Sequence, residues 1–329
     1  MNIAVVILNW NGKALLEQFL PSVIQYSEGA DIYIADNAST DDSISYVSKR
    51  FPQVNIIQNA MNSGYAKGYN DALKHVNADI FCLLNSDVEV TKNWLAPIAA
   101  VFKNDSKTAI IQPKLLDYKR RDYFEYAGAA GGFIDKYGYP YCRGRIFNSI
   151  EKDHGQYNDT SDVFWASGAC LFIRNDVFKA LNGFDESFFA HMEEIDLCWR
   201  AKNLGYTIKY VGNSTVYHVG GATLNNTNPK KTFLNFRNSL FTLTKNANGN
   251  LFSLIFTRLI LDGIAGIRFM LSFEPLHTLA IIKAHFSFYK HLSLLLKQRN
   301  SLNNKAIYFS KKSIVWLYFL VNKKHYDSL

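Results

Sequence analysis

Acidic side chains at three points of this chain could take part in metal binding or acid–base chemistry. Asp36 and Asp87 each follow a short apolar run, and the adjacent pair Glu193-Glu194 lies far downstream. In an open α/β sheet, ligands bind in the crevice outside the carboxyl ends of the strands. Carboxylate oxygens suit hard cations, and a carboxylate in a dry pocket can act as a general base. We therefore expect one pocket shared by the two strand ends, with the glutamate pair available for chemistry there.

The elements that must position these residues alternate between short apolar runs and longer stretches with helical periodicity. This alternation predicts an α/β fold with a mostly parallel sheet covered by helices on both faces. A Gly- and Tyr-rich stretch at 126–145 is expected to be a loop or a hairpin rather than part of the core. Strands are predicted at 3–8, 32–35, 54–58, 80–84, 108–111, 169–173, 206–211 and 215–218, and helices at 13–26, 41–50, 65–76, 92–103 and 194–204.

Four short sequence motifs follow one another in a specific order. They are Asn9-Trp10-Asn11-Gly12, the turn from Asp36 to Asp41, Asn85-Ser86-Asp87, and the stretch from Gly183 to Leu197. The ordered set resembles the inverting nucleotide-sugar glycosyltransferases of family 2, and within them the bacterial rhamnosyltransferase-like branch that builds surface polysaccharides. The resemblance covers roughly residues 1–245 and implies a Rossmann-like GT-A domain there, followed by amphipathic helices at 246–329.

The resemblance implies donor contacts at the strand ends. Asp36 would accept hydrogen bonds from the base or ribose of the nucleotide, and a helix that opens near Gly64 would face the diphosphate. Two simpler interpretations stay open. Ser39 or Thr40 could cap a helix, although a cap does not account for Asp36, and residues 62–70 could be an ordinary junction between loop and helix. The predicted donor-binding residues are Asn9, Asp36, Asn62, Gly64, Lys67, Asn85 and Asp87.

The segment Asn85-Ser86-Asp87 stands where the resembled family has its DxD motif, which implies a divalent metal ion, Mg²⁺ or Mn²⁺. Such an ion offsets the negative charge that grows on the nucleoside diphosphate as the sugar leaves. Because Asn85 replaces the first carboxylate, Asp87 is expected to carry most of the coordination, with Glu89 as support. Some members of the family have a remote metal ligand at the position of His218, so the predicted ligands are Asp87 and His218. The alternative for the motif is a polar β-turn after a buried strand.

Glu194 stands at the position of the family's catalytic base. The resemblance implies that it takes the proton of the acceptor hydroxyl while the oxygen attacks the anomeric carbon, with Glu193 as the fallback. The alternative is that these acids are charges on a helix surface. Trp165 and Ser167 lie in a segment that resembles the acceptor side of relatives, so both are predicted to bind the acceptor. Trp165 could stack on a sugar ring, and a core tryptophan fits the sequence equally well.

Charge is divided unevenly along the chain. Residues 1–227 carry 21 Lys/Arg against 25 Asp/Glu, whereas residues 228–329 carry 15 against 3. This asymmetry predicts that the carboxyl-terminal part meets an anionic surface, which is either nucleic acid or anionic lipid. A nucleic-acid-binding tail should be basic and polar, but this tail is rich in Leu, Ile and Phe. We therefore predict an anionic membrane surface as a partner and no nucleic acid.

The tail has the pattern of helices that lie in a membrane interface. Apolar stretches at 251–273 and 277–299 and a patch at 314–321 are interspersed with or bracketed by basic residues. In the first stretch Arg258 and Asp262 share one helical face. The apolar faces expected to meet the membrane lie around Leu259, Phe286 and Leu296.

These features predict an inverting glycosyltransferase that moves a sugar from a dTDP- or UDP-linked donor to a saccharide acceptor, with polyprenyl diphosphate as the expected carrier of that saccharide. The predicted location is the cytoplasmic face of the inner membrane, as a peripheral or monotopic protein. The start Met1-Asn2-Ile3 lacks signal-peptide features, and the four dispersed cysteines form no CxxC pair. The alternative is a catalytically silent GT-A domain that acts as a membrane-bound assembly or binding protein.

Overall fold

The computed structural model describes residues 1–220, 228–300 and 307–329. The strands are β1 (Ile3–Asn9), β2 (Ala30–Asp36), β3 (Asn55–Gln58), β4 (Ile80–Asn85), β5 (Val88–Val90), β6 (Thr108–Asp117), β7 (Gly132–Ile134), β8 (Pro140–Cys142), β9 (Arg145–Ile146), β10 (Ser149–Ile150), β11 (Thr160–Asp162), β12 (Cys170–Arg174) and β13 (Thr207–His218). The helices are α1 (Lys13–Tyr26), α2 (Ser43–Arg50), α3 (Gly64–Leu73), α4 (Leu95–Asn104), α5 (Asn175–Ala180), α6 (Glu193–Asn203), α7 (Pro229–Asn246), α8 (Leu251–Leu271), α9 (Pro275–Asn300) and α10 (Ile314–Phe319).

A large central sheet has the strand order β11-β13-β6-β12-β4-β1-β2-β3, with β5 paired to β13. Strands β1 to β4 pair in parallel, as do β6 and β13, whereas β12 is antiparallel to β4 and β6. Successive side chains of a strand point to opposite faces. Val5 therefore packs with Leu16 of α1, and Val6 packs with Tyr69 of α3. Both faces are buried, which explains why β1 is apolar at almost every residue.

The register of the sheet brings the polar strand ends to one edge. Asn9 lies opposite Asp36 in the β1–β2 pair, and Asn85 lies opposite Leu8 in the β1–β4 pair. The last residue of β13, His218, lies opposite Val88, which directly follows Asp87. Strand pairing thus gathers residues that are far apart in the sequence.

The predicted elements of the first 110 residues are confirmed, with ends that differ by a few residues. The two extended segments predicted at 206–211 and 215–218 form one strand, β13, whose pairing with β6 is irregular between Val211 and Thr215. The hairpin predicted within 126–145 is confirmed by the β7–β8 pair. Its exclusion from the core was wrong, because Ala129, Tyr141 and Cys142 are buried.

The carboxyl-terminal helices pack on the sheet domain. α7 and α9 run parallel: Thr232 lies 2.7 Å from His277 near their starts, and Arg299 donates to the carbonyl of Thr244 at 3.0 Å near their ends. Leu254 and Phe288 belong to the same apolar cluster as the residues of the sheet. The predicted helices at 251–273 and 277–299 are therefore confirmed, and they share a core with the preceding domain.

The charged face of α8 points into the protein. Arg258 Nε donates to Asp262 Oδ1 at 2.7 Å, and the hydroxyl of Tyr139 donates to the same oxygen at 3.0 Å. Leu259, which was expected on the outer apolar face, packs against the core instead, whereas Phe286 is 72% exposed. Among the helices that the structure describes, none is long and apolar enough to cross a membrane.

Candidate active site

Two buried side chains join the ends of β1 and β2. Asn9 Nδ2 donates to Asp36 Oδ1 at 3.0 Å, and the Asp36 carboxylate also accepts from the N–H of Ser39 at 3.0 Å and from its hydroxyl at 2.5 Å. The N-cap of α2 is Asp42, so Ser39 does not cap that helix. Both Asn9 and Asp36 are almost fully buried. These bonds fix the turn after β2, and a contact of Asp36 with a nucleotide stays a prediction.

Asn37, which the sequence did not single out, connects this strand end to the glycine segment. Its Nδ2 lies 3.1 Å from both Asn62 Oδ1 and the carbonyl of Gly64, and its Oδ1 accepts from Asn59 at 3.0 Å. The signal that could have found it is its place directly after Asp36 at a strand end. One nearly buried amide thus holds two of the predicted donor residues.

Gly64 is required by the close approach of another loop. Its φ is +82°, and a Cβ there would lie 2.6 Å from the carbonyl oxygen of Phe189. The N–H of Tyr65 donates to that same oxygen at 2.9 Å. Lys67, also predicted to bind the donor, pairs with Asp71 at 3.0 Å and lies 3.6 Å from Glu186. These contacts are made within the chain, and donor binding by Gly64 and Lys67 stays a prediction.

Asp87, His218 and Glu125 form a buried charged triad. His218 Nε2 lies 3.1 Å from Asp87 Oδ1, and Nδ1 lies 3.2 Å from Glu125 Oε1. Burial alone would lower the pKa of His218, but Glu125 and Asp87 together raise it to about 10. Burial opposes ionisation of Asp87, yet the hydrogen bond from His218 holds its pKa below the usual value. The sequence analysis missed Glu125, because it lies outside every motif.

Asp87 and His218 stay the predicted ligands of a divalent ion, and His218 would have to release its Nε2 proton, which Asp87 and Glu125 stabilise, before it could bind the metal. Among the residues described, no three His, Cys, Asp or Glu side chains form a complete metal cage. Mg²⁺ usually takes one or two carboxylates and completes its shell with water and substrate phosphate. Asn85 Nδ2 lies 3.5 Å from His218 Nε2, so the start of the motif adjoins the pair. Glu89, the expected support, pairs with Arg121 at 2.9 Å instead.

Glu193 and Glu194 open helix α6 with their carboxylates largely out of water. Glu193 is 4% exposed; Glu194 is half-buried, but Oε2 of each residue is buried without a hydrogen-bond partner in the described part of the chain. Burial, helped by the charge of Glu194, raises the pKa of Glu193 well above its usual value. Burial raises the pKa of Glu194 to about 7. The interpretation of these acids as helix-surface charges was therefore wrong.

The loop that leads into α6 has an unusual backbone. Phe189, His191 and Met192 have φ values of 63°, 69° and 71°. Left-handed residues other than glycine cost on the order of 1–3 kcal/mol each and persist only where the surroundings fix them, often at functional sites. We call residues 188–192 the entry loop, because its conformation sets where Glu193 and Glu194 begin.

Asn238 of α7 holds the entry loop. It is fully buried, and its Nδ2 lies 3.0, 2.9 and 2.7 Å from the carbonyl oxygens of Phe188, Ala190 and His191. Arg237 Nη2 donates to the carbonyl of Phe188 at 3.0 Å. Arg237 Nη2 and Asn238 Nδ2 thus both donate to carbonyl groups of the entry loop.

The predicted acceptor residues lie in the core. Trp165 is 2% exposed, its Nε1 donates to the carbonyl of Phe133 at 2.8 Å, and a Cβ on Gly132 would lie 2.0 Å from its ring. Ser167 is 1% exposed, and its N–H donates to Gln112 at 2.8 Å. Trp165 thus has the geometry of a core tryptophan. Acceptor binding by either residue stays a prediction. In this conformation the ring of Trp165 has no exposed face on which a sugar could stack.

Tyr65 and Lys231 connect the glutamate pair, the triad and the entry loop into one region. The hydroxyl of Tyr65 donates to the carbonyl of Gly168 at 2.9 Å. Burial raises the pKa of Tyr65 well above its usual value, and nearby negative charge, which includes that of Glu193 and Glu194, adds to this shift. Burial lowers the pKa of Lys231 on α7, while the charge of Glu125 opposes that shift. Lys231 also helps to lower the pKa of His191 in the entry loop, where burial is the larger cause. The triad and the entry loop are thus within electrostatic reach of one lysine.

Comparison with known proteins gives consistent relatives. The family model described as glycosyl transferase family 2 matches residues 4–181. The chain is 24% identical over 233 residues to N-acetylglucosaminyl-diphospho-decaprenol L-rhamnosyltransferase of Mycobacterium tuberculosis, which covers 65% of this chain and 75% of that protein. It is 23% identical over 206 residues to a low-salt glycan biosynthesis hexosyltransferase of Haloferax volcanii, which covers 61% of this chain and 62% of that protein.

Solved structures share the architecture. GalNAc-T7, solved with UDP, GalNAc and Mn²⁺, superposes with a TM-score of 0.65 at 15% identity, over 98% of this chain and 56% of that one. A mannosyltransferase of Pyrobaculum calidifontis, solved with GDP-Man and Mn²⁺, has a TM-score of 0.53 at 12% identity, over 91% of this chain and 84% of that one. At these identities the likeness shows the fold alone, and it confirms the predicted GT-A architecture.

Proposed function

Because the chain belongs to glycosyl transferase family 2, in its rhamnosyltransferase-like branch, and is a glycosyltransferase, we propose that it transfers a sugar with inversion from a dTDP- or UDP-linked donor to a saccharide on polyprenyl diphosphate. The observation that carries the mechanism is the buried glutamate pair, with Glu194 poised near neutrality. The name of the M. tuberculosis relative specifies a diphospho-decaprenol acceptor, which supports the same acceptor class here. The product would then belong to surface polysaccharide synthesis.

Glu194 is the proposed base. It accepts the proton of the acceptor hydroxyl while that oxygen attacks the anomeric carbon from the side opposite the nucleoside diphosphate. A base whose pKa lies near the working pH is both ionised and basic enough for this transfer. Burial and the charge of Glu194 raise the pKa of Glu193 well above its usual value, which disfavours a second negative charge beside the base.

The donor would lie along the polar edge of the sheet, where Asn9, Asp36, Asn62 and Asn85 converge. Asp87 and His218 would hold Mg²⁺ or Mn²⁺, which neutralises charge on the leaving diphosphate when it is bound. Glu125 lies at the other ring nitrogen of His218 and so fixes the ring with Nε2 toward Asp87.

The tail supports a lipid-linked acceptor. Both α8 and α9 carry many exposed apolar side chains, which together we call the apolar tail surface. Large exposed apolar patches mark interaction sites, and basic amphipathic helices bind anionic lipid interfaces. We therefore propose peripheral binding to an anionic membrane, in line with the predicted cytoplasmic face. The surface comprises Phe252, Phe256, Ile260, Ile264, Ile267, Leu271, Phe273, Leu276, Leu279, Ile282 and Phe286.

A donor panel tests the proposal. The purified protein is incubated with nucleotide sugars, Mg²⁺ or Mn²⁺ and a polyprenyl-diphosphate-linked saccharide, and release of nucleoside diphosphate is measured. We expect release from a dTDP- or UDP-linked donor, stimulated by the acceptor, and a product of inverted anomeric configuration by NMR. Donor binding without hydrolysis or transfer for every sugar would instead favour a catalytically silent protein.

A further inference from the structure

Helices α7 and α9 enclose an open pocket of about 350 Å³ at their amino-terminal ends. Its apolar wall includes Phe233, Leu276 and Leu279, and the charged residues that line it are Lys230 and Lys283. An apolar wall with two cations at hand suits a ligand that has both a hydrocarbon part and a negatively charged group. We call this the α7–α9 pocket.

Helix direction adds to the positive potential of the pocket. Because α7 and α9 run parallel, as the Thr232–His277 contact near their starts shows, both amino termini lie at the same end. The amino terminus of a helix carries about half a positive elementary charge and favours phosphate groups. Lys230 lies in the first turn of α7, and Leu276 lies in the first turn of α9. The two helix dipoles therefore act in the same sense as the two lysines.

The pocket is continuous with the apolar tail surface. Leu276 and Leu279, which line the pocket, are 64% and 45% exposed and belong to that surface. Ile282, on the same helix, extends the surface at 47% exposure. Exposed apolar side chains thus extend from the pocket along α9.

The pocket also adjoins the entry loop. The ammonium group of Lys230 lies 5.2 Å from the ring centroid of Phe189, which is four residues before Glu193. The next residue, Lys231, acts electrostatically on Glu125 and His191. The first turn of α7 therefore has one lysine at the pocket and one toward the candidate active site.

We propose that the α7–α9 pocket binds the diphosphate and the first isoprenoid units of the lipid acceptor. Lys230 and Lys283 bind the diphosphate, and Phe233, Leu276 and Leu279 contact the isoprenoid. The saccharide on the diphosphate then extends past Phe189 toward Glu194. This inference rests on the proposed lipid-linked glycosyl transfer, and it adds the site where the lipid carrier is recognised.

Binding of geranylgeranyl diphosphate tests the site, with geranylgeraniol and inorganic diphosphate as partial ligands. In titration calorimetry we expect Lys230→Ala and Lys283→Ala each to weaken binding of the full probe by roughly tenfold, because each removes a charge-assisted contact. The double Lys→Arg variant should retain binding. Lys290→Ala is the matched control, since Lys290 is an exposed lysine of α9 outside the pocket, and it should bind as wild type does.

Leu279→Asp tests the apolar part and should weaken binding of geranylgeranyl diphosphate more than that of inorganic diphosphate. Unchanged binding in the Lys230→Ala/Lys283→Ala double variant would overturn the proposal, as would equal affinities for inorganic and geranylgeranyl diphosphate.

Turnover separates this inference from the function on which it rests. The double variant should raise the KM for the lipid-linked acceptor by a larger factor than the KM for the donor. A wild-type protein that uses no donor would refute the proposed function. Normal donor use together with an unchanged KM for the lipid acceptor in the double variant would refute only the pocket.

Discussion

Glu194 and Glu193 are adjacent in the chain, and burial raises the pKa of both carboxyl groups. Replacing Glu194 with Gln keeps the size of the side chain and removes its basicity. We expect donor binding to survive and kcat to fall by about 10²–10⁴-fold. Because the pKa of Glu194 is raised to about 7, kcat of the wild type should rise with pH through that value as the carboxyl loses its proton. Steady-state kinetics from pH 5.5 to 8.5 measure both effects.

Glu193→Gln is the matched control. It replaces a carboxyl group whose ionisation is already opposed by burial and by the charge of Glu194, so most of the activity should remain. A dead Glu193→Gln beside an active Glu194→Gln would exchange the two roles.

Stability should depend on pH through the same pair. A carboxyl whose folded pKa is raised holds its proton more tightly in the native state, so its stabilising effect is complete below the unfolded value of 4.5 and is lost as pH rises through the folded value. We expect the wild-type Tm to fall between about pH 5 and 8 by more than the Tm of a Glu193→Gln/Glu194→Gln variant. Parallel Tm curves for the two proteins would mean that neither carboxyl is perturbed.

Asp87→Ala should abolish transfer and remove the dependence of donor binding on Mg²⁺ or Mn²⁺. Asp87 is the carboxylate that faces His218, and the proposed ion would lose its main protein ligand. Glu89→Ala is the control, because Glu89 pairs with Arg121 and not with His218; it should retain metal-dependent binding. Donor titrations with and without the ion compare the variants, and an Asp87→Ala protein that still needs metal would locate the ion elsewhere.

At the scale of elements, α7 should control activity through the entry loop. Asn238→Ala removes hydrogen bonds to three loop carbonyls, so the strained backbone should relax and displace Glu194. We expect a lower kcat and a shift in the apparent pKa of the pH–rate profile. Asn246→Ala, also on α7 and fully buried, loses bonds to Asp196 and Thr242 instead. It should lower the Tm to a similar degree while leaving the pH–rate profile as in the wild type. If the Asn238→Ala variant had the same pH–rate profile as the Asn246→Ala variant, the role of Asn238 would be structural only.

The sequence predicted those elements that depend on the residues of one continuous segment. β1 and β4 are apolar runs buried on both faces, and their polar ends mark the edge where Asn9 and Asn85 lie. Contacts between distant segments left no such signal: Glu125 reaches His218 from a loop outside every motif, and Asn238 is one amide in an ordinary helix. The inward orientation of Arg258 was also hidden, because a helical wheel shows which residues share a face and not what covers that face.

At the scale of the whole molecule, the tail is part of the fold that it extends. Leu254, Phe288 and Leu295 lie in the core cluster of the sheet domain. Fully burying such a side chain contributes about 1.5–3 kcal/mol. Deletion of residues 251–329 would therefore expose core surface, and loss of membrane binding in that variant could not be separated from unfolding. Substitutions on the exposed surface avoid this problem.

Charge introduced into the apolar tail surface should release the protein from membranes. Phe256 and Ile264 are 57% and 58% exposed, so a Phe256→Glu/Ile264→Glu variant should keep its Tm and its donor hydrolysis while it loses co-sedimentation with anionic liposomes. Leu204→Glu is the control, because Leu204 is 53% exposed but lies outside the tail.

Salt separates the two contributions to wild-type membrane binding. Each basic residue near an anionic surface contributes about 1 kcal/mol, and residues 228–329 carry 15 basic residues against 3 acidic ones. Raising NaCl from 0.1 to 0.5 M should therefore weaken the binding. It should not abolish it, because apolar contact is not screened by salt. A wild-type protein that ignores anionic liposomes at low salt, or a double variant that still binds them, would refute the membrane role of this surface.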